Sequence, residues 1–470
     1  MQSIHYPVCG RKIDEVATQE TLNKLMTQLE NWQQGPGVVG TLNLHSCWGT
    51  ASVLERRYEG ETVMLFTTLS ELIRQLYNRT RDPKWRVMAN SMAAHVLYLQ
   101  DTSGGFIHAT AEFEPTFDTR GCPIHFFNPI LTLCDYYRWE YADEDIKALI
   151  PAAIDRQWEW SLNSGIWKNG NGRFHPLTHP GWCGVTNQDL TAVAAVAASA
   201  KLFSTWERYV QYAKPALDYI LSPAYYYPEI GLFERGDGVN FAERTMYYAH
   251  IIRALQRIWE NTGDQRAFDA LDNVSGHLFD AVFVGEDGLT YLARGAQTDP
   301  VDKTKVLGWD HSAIAFEGYP ELIGYMKDWA KRHGDDERMK TVERLYDTVA
   351  AYVFTDGNIP MGVFNTNPLF SIVSSSCCTT SSHWALYIVE RLGEQLKSPQ
   401  RVQLPAIHRT LRNMTWKQNG RLWAVEENGV RKYGGFSRYP AGITVGPEEK
   451  PVWGSFDTLE NCDVLEIVDA

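Results

Sequence analysis

The chain has 470 residues, 44% of them hydrophobic and 21% charged, enough to bury a large core and too apolar for wholesale disorder. Its 44 basic and 57 acidic side chains leave a formal charge of −13, which argues against nucleic-acid binding and against a grip along a long polyanion, while one local anion pocket stays compatible. No stretch approaches ~18 uninterrupted apolar residues, so no membrane span is expected.

Met1 to Asp14 carries no apolar run and no small-residue cleavage site. No signal peptide is expected, and the chain reads as cytoplasmic. Glu15 to Trp32 then reads as a leading helix. From there a unit recurs: a loop rich in Gly, Pro, His and Trp, a small-residue or apolar helix, a short turn, and a more charged amphipathic helix. The less charged, inner helices are expected to begin near Glu61, Ile124, Asn187, Ala242, Asp310 and Thr380. The outer ones are expected from Asp82, Asp143, Thr205, Asp264, Asp335 and Ser398, several behind good N-cap signals. Six such hairpins about 60 residues apart predict an all-α fold, an (α/α)6 toroid. The run VAAVAASA at Val193 to Ala200 permits close approach in a crowded inner ring.

After Met414 the pattern changes to alternation around Asn419-Gly420 and Asn428-Gly429, which are hairpin turn signals. The organisation expected is a toroid domain over 1–414 and a small β-rich C-terminal appendage over 415–470. The latter is too short for a core of its own.

In a ring of parallel inner helices, the lead-in loops open on one rim, so polar residues at helix starts converge there, where helix N-termini favour anions. The second lead-in offers His125 with Cys122 and Asn128. The third carries Trp182, then Asn187, Gln188 and Asp189, either a sugar-contacting cluster with Asp189 as acid or base, or simple N-capping. The fourth crowds Glu234, Arg235, Asp237, Glu243, Arg244 and Tyr247. Glu243 and Tyr247, four apart, would share a helix face, and Arg244 could clamp a carboxylate. The fifth places Trp309, Asp310 and His311 before an apolar turn, with Glu317 two helical turns down the same face. A charge facing the lumen is costly without a task, so Asp310 is the strongest single candidate. The sixth offers Cys377, Cys378 and His383, a zinc-ligand set if another ligand joins them, or a small polar loop with buried thiols. Sixteen tryptophans in a 12% aromatic chain would suit a sugar-stacking cleft or a large core.

This arrangement resembles the six-hairpin glycosidase superfamily over about residues 40–414. Within it, the chain is similar in overall appearance to the β-glucuronidase-like glycoside hydrolases of family 154. It also resembles the bacterial β-L-arabinofuranosidases of this fold. Those carry a Cys-Cys pair before an inner helix, like Cys377-Cys378, and a Glu-x-Cys motif one hairpin earlier. Here that motif would fall on Asp310-His311-Ser312, where Glu has become Asp and Cys has become Ser. The departure counts against zinc and a cysteine nucleophile.

The function expected is exo-acting hydrolysis of an oligosaccharide, uronic-acid-containing by the resemblance. Paired carboxylates drawn from Asp310, Glu243 and Asp189 would react. Arg244, His311, Asn187, Gln188, His125 and His383 would orient the sugar, and Trp182, Trp309 and Tyr247 would stack on it. No cofactor, metal, nucleic acid or membrane is expected, and a homo-oligomer is an allowed state. The competing readings are a lyase acting next to a uronate, the zinc-cysteine hydrolase, and a sugar epimerase using His311 or His383.

Overall fold

The structure is a computed structural model, and it describes residues 51–52, 57–58, 66–98, 100, 102–106, 122–168, 172–175, 183–237, 242–285, 288–316, 318–351, 362–366, 369–372, 424–427 and 430–433. Five helical hairpins run through them: α1 (Phe66–Thr80) with α2 (Pro83–Tyr98), α3 (Pro123–Arg138) with α4 (Glu144–Asn163), α5 (Thr186–Phe203) with α6 (Trp206–Arg208) and α7 (Lys214–Ile220), α8 (Tyr248–Thr262) with α9 (Gln265–His277), and α10 (Tyr319–His333) with α11 (Asp336–Ala351). The expected sixth pair, from Thr380 and Ser398, and the leading helix lie outside the described residues.

Local chemistry sets the hairpin turns. Gly263 closes α8 in the left-handed region at φ 72°, where a Cβ would be strained, and Asp264 then caps α9 by accepting from the Arg266 N–H. Asp143 caps α4 through the N–H groups of Asp145 and Ile146. Between α6 and α7 the helix widens to a π turn over Tyr209–Ala213, in which the Lys214 N–H reaches Tyr209 O. Pro215 follows at once, and its missing N–H and bulky ring account for the widened turn.

α1, α3, α5, α8 and α10 form the inner layer. α5 packs against both α3 and α8, and Ala192 to Ala198 are all buried, as its small side chains require. Two expected helix starts are corrected. Ala242 pairs with Glu234 as a β-bridge, and the Thr245 N–H donates to Arg294 O, so the fourth inner helix begins only at Tyr248. Val306–Asp310 is a strand, and the fifth inner helix begins at Tyr319 behind the left-handed Gly318. The β-branched and aromatic content of that strand is satisfied by pairing across to residues 295–298.

Short antiparallel pairs dress the helix ends: β1 (Ala51–Ser52) with β2 (Arg57–Tyr58), β3 (Trp167–Lys168) with β4 (Arg173–Phe174), β5 (Cys183–Val185) with β8 (Gly236–Asp237), β6 (Tyr226–Tyr227) with β7 (Leu232–Phe233), β9 (Val282–Val284) with β10 (Thr290–Leu292), and β11 (Gly295–Thr298) with β12 (Val306–Asp310). A three-stranded sheet joins β13 (Ala313–Ala315), β14 (Gly362–Thr366) and β15 (Leu369–Ile372). Near the C-terminus β16 (Ala424–Glu427) pairs with β17 (Val430–Tyr433), Glu427 opposite Val430; the expected turn residues Asn419, Gly420, Asn428 and Gly429 lie outside the described residues.

A belt of charge crosses the inner layer. Arg253 on α8 grips Glu321 on α10 with both its Nε and a terminal nitrogen, and the Tyr325 hydroxyl donates to the same carboxylate. Arg257 on α8 donates to Asp135 on α3 at 2.7 Å, and Arg74 on α1 stands 3.7 Å from it. Arg138 on α3 reaches Asn261 on α8 and the Ala198 carbonyl on α5. Burial pushes the nearby Glu71 carboxyl up, against the pull of Arg257, Arg74 and Arg253. Among the described residues, no helix is long and apolar enough to cross a membrane.

Candidate active site

The fourth lead-in is a two-sided ribbon. Glu234 pairs with Ala242, and the Glu243 N–H donates to Phe233 O at 2.7 Å. Strand alternation therefore puts Arg235 and Glu243 on one face and Glu234 on the other. On the first face, Arg235 donates to both Glu243 oxygens at 2.9 and 3.1 Å and to Asn187 Oδ1 at 3.4 Å. The Arg235 guanidinium lies 4.2 Å from the centre of the Tyr247 ring. The Arg244 N–H also donates to Glu243, at 2.9 Å. Asn187, Glu243 and Tyr247, all singled out in the sequence, thus meet around one buried arginine. Glu243 and Tyr247 do so from a loop and a 3-10 turn rather than from one α-helix face. On the second face, Glu234 is buried and takes Lys303 Nζ and the Tyr227 hydroxyl.

The fifth lead-in lies alongside. Asp310 ends β12 opposite Gly295, with its side chain 31% exposed. Its Oδ1 accepts from the Ser312 N–H at 2.9 Å, and Arg294 stands 3.7 Å from its Oδ2. Gly295 bridges to Arg244, and Arg294 O accepts from Thr245, so backbone bonds tie this segment to the fourth lead-in. The strand separates residues that the sequence grouped together. Trp309 pairs across to Ala296 and packs on the core, and the His311 ring stacks on Phe283 at 4.0 Å. The expectation that Glu317 continues the face of Asp310 by helical spacing is corrected, because Asp310 is on a strand; Glu317 itself lies outside the described residues.

Asp189, on the first turn of α5, is wholly buried. One oxygen takes Arg173 Nε and the other the Phe174 N–H. The same guanidinium donates to Asp237 at 3.0 Å and to Gly184 O at 2.7 Å, and lies 4.8 and 4.7 Å from the Tyr219 and Tyr225 ring centres. Gly184 is left-handed at φ +60°, and a Cβ there would sit 2.5 Å from Arg173 Cζ. Asp189 is thus part of a closed clasp beneath the rim.

Burial pushes the Asp189 carboxyl up to about 6, against the pull of Arg173 and the Phe174 N–H. The unfolded value is ~4, so the folded chain binds this proton more tightly. The group's contribution to stability is complete below about pH 4 and is lost as pH rises through the folded value. The stability advantage of the wild type over Asp189→Asn is therefore expected to shrink as pH rises across that window. A difference that stays flat in pH-dependent urea unfolding would refute the assignment.

His125 is buried in the first turn of α3, where its Nδ1 accepts from the Cys122 N–H at 3.1 Å. Two buried polar atoms near helix starts, Gln188 Oε1 and Asn128 Nδ2, find no hydrogen-bond partner among the described residues. Trp182, His383, Cys377 and Cys378 lie outside the described residues. Among the described residues no group of three His, Cys, Asp or Glu side chains could hold a metal. A cavity of about 510 Å³ does occur on the outer layer, lined by Asp269, Asp272, His277, Trp329 and Arg338 among others. It shares no residue with the rim cluster. The Trp329 ring is covered by His333 at 4.0 Å and Arg338 at 4.5 Å.

Arg173, Arg294 and Lys303 are the charged residues that reading the sequence missed. Each sits on or beside a short strand, where no periodicity marks it. The Arg235–Glu243 pair could have been found by applying two-residue alternation to the loop.

No protein-family model matches the sequence, and no curated protein matches it. Solved structures do resemble the fold. A cellobiose 2-epimerase from Bacillus thermoamylovorans is 13% identical over 80% of this chain and all of its own, with a TM-score of 0.55. An unsaturated glucuronyl hydrolase specific for heparin is 9% identical over 84% of this chain and all of its own, with a TM-score of 0.52. An unsaturated glucuronyl hydrolase from a Bacillus species is 14% identical over 81% of this chain and 97% of its own, also at 0.52. These are (α/α)6 toroid enzymes, and the present chain shares their fold: it is mostly helical, with five hairpins and no closed sheet among the described residues.

Proposed function

We propose that the chain is a glycoside hydrolase acting from the end of a uronic-acid-containing oligosaccharide, in the cytoplasm and without a cofactor. The observation that carries this reading is the rim cluster. Arg235, Arg244 and Arg294 gather there with Glu243 and Asp310, in a protein whose overall charge is −13. Three cations around two carboxylates suit a sugar that brings a carboxylate of its own. Hydrolysis needs one carboxyl group to protonate the leaving oxygen and another to activate water or attack carbon. Asp310 is partly exposed to solvent at the rim, so it serves as one partner. Glu243, fixed by Arg235, serves as the other. Asn187, Gln188, His125 and Tyr247 would meet the ring hydroxyls, with Gln188 Oε1 ready to accept one. The solved toroids that share the fold include two hydrolases of glucuronyl substrates, which is consistent with this reading.

A second reading, elimination next to a uronate, draws on the placement of Tyr247 against Arg235, a base candidate beside a cation. A panel of nitrophenyl glycosides and uronate-containing oligosaccharides separates the two. Release of nitrophenol from a β-glucuronide, abolished in Asp310→Asn, is the expected result. Ultraviolet absorbance of an unsaturated uronate, without added water in the product, would overturn hydrolysis in favour of the lyase. A change of sugar configuration with no bond cleaved would overturn both in favour of an epimerase.

A further inference from the structure

The β11–β12 hairpin carries Asp310 at one end and a seven-residue loop, 299–305, at the other. The base is fastened to the fourth lead-in by backbone bonds, Arg244 bridging Gly295 and the Thr245 N–H donating to Arg294 O, and is closed on itself by the Arg294 N–H donating to Asp310 O at 2.8 Å. The loop is internally ordered. Asp299 Oδ1 accepts from the N–H groups of Val301 and Asp302, and the Asp299 N–H donates to Lys305 O. Its apex is otherwise bare, with Val301 92% exposed. Among the described residues, one ion pair joins this loop to another segment: Lys303 Nζ to Glu234, a buried carboxylate that also takes the Tyr227 hydroxyl. Glu234 is the immediate neighbour of Arg235, which holds Glu243. The hairpin is thus fastened at its base by backbone, along its strands by Ala296, Val306 and Trp309 against the core, and at its tip by the Lys303 side chain, and the first and last fastenings are on the ribbon that bears Glu243.

We propose that Lys303 is a positioning residue, latching the tip of the β11–β12 hairpin onto Glu234 so that Asp310 is held in fixed relation to the Glu243 face. The inference rests on the reading of Asp310 and Glu243 as the reacting pair. The physical basis is that a paired buried carboxylate is strongly directional, because removing its cation leaves a buried charge uncompensated. A two-stranded hairpin is marginally stable by itself and needs such an external hold. Lys303 touches no reacting atom in this scheme and acts only through the hairpin.

The test compares Lys303→Met and Lys303→Arg with the wild type by amide hydrogen exchange and by steady-state kinetics. Val301 and Asp302 report the loop, and Ser312, whose N–H donates to Asp310 Oδ1, reports the place of Asp310 itself. In Lys303→Met all three amides are expected to exchange roughly tenfold faster or more, with Lys303→Arg close to wild type. Turnover on the glycoside identified above is expected to fall roughly tenfold with KM within about twofold, again recovered by arginine. Unchanged exchange at Ser312 overturns the latch. Faster exchange with unchanged kcat overturns its positioning role. If the wild type cleaves no glycoside, the hydrolase reading fails by itself, and the Ser312 amide still decides whether Lys303 holds Asp310 in place.

Discussion

Replacing Arg173 with methionine is expected to destabilise the fold by about 3–5 kcal/mol, the cost of removing one partner from a buried ion pair. The guanidinium is fully enclosed, and three of its nitrogens are used: Nε on Asp189, one terminal nitrogen on Asp237 and the other on Gly184 O. Methionine would fill part of the space beside the Tyr219 and Tyr225 rings but leave Asp189 uncompensated. Lysine offers a point charge on a flexible stem, so Arg173→Lys is expected to recover only a minor part of the loss. The double variant Arg173→Met with Asp189→Asn should lose less than the sum of the singles, because the orphan charge is gone. Urea unfolding checks all four proteins. A loss below about 1 kcal/mol in Arg173→Met would show that the clasp is not a buried pair. Because the clasp joins β4, β5, β8 and the first turn of α5, its failure would also shift Asn187 at the rim.

Asp310→Asn is expected to behave in the opposite way, costing roughly 10²–10⁴ in turnover as a proton-transferring group and little stability. Its carboxylate is partly exposed, and the facing Arg294 at 3.7 Å is too distant for a strong hydrogen-bonded pair. Asparagine keeps an oxygen that can accept from Ser312. Glu243→Gln should lose both activity and stability, since Glu243 is buried and Arg235 would be left without its counter-charge. The contrast between the two variants, read by turnover and by unfolding side by side, separates a carboxylate that only reacts from one that also holds the fold. Full activity in Asp310→Asn would remove Asp310 from the chemistry.

The helical hairpins were legible because their signals are local. Asp143 and Asp264 announce helix starts, and the Gly263-Asp264 pair ends one helix and begins the next. The alanine-rich α5 reads as an inner helix by composition. The strands at the rim were not legible in this way. Val306 to Asp310 is a strand because residues 295–298 lie beside it, and a five-residue segment has no periodicity to show that. Reading Trp309, Asp310 and His311 as a helix start therefore grouped side chains that a strand separates. The convergence of Asn187, Glu243 and Tyr247 followed from ring topology alone. The arginine at its centre followed from two-residue alternation, a rule that applies only once the loop is known to be a ribbon. The burial of Asp189 depends on Arg173, sixteen residues earlier in a strand two residues long, and nothing in the local sequence marks that partner.

The charge belt across the inner layer has a consequence in time. Asp135 leaves the ribosome early, yet its partner Arg257 follows 122 residues later. At ~5–20 residues per second, the first two hairpins wait roughly 6–24 s before that carboxylate can meet its close arginine partner. Arg253 in turn waits a further 68 residues for Glu321. During that interval Asp135 has only its longer contacts to Arg74 and Arg138, at 3.7 and 3.9 Å, both made within the first two hairpins. The belt is therefore completed late in synthesis, once the hairpins that bear Arg257 and Glu321 have been made.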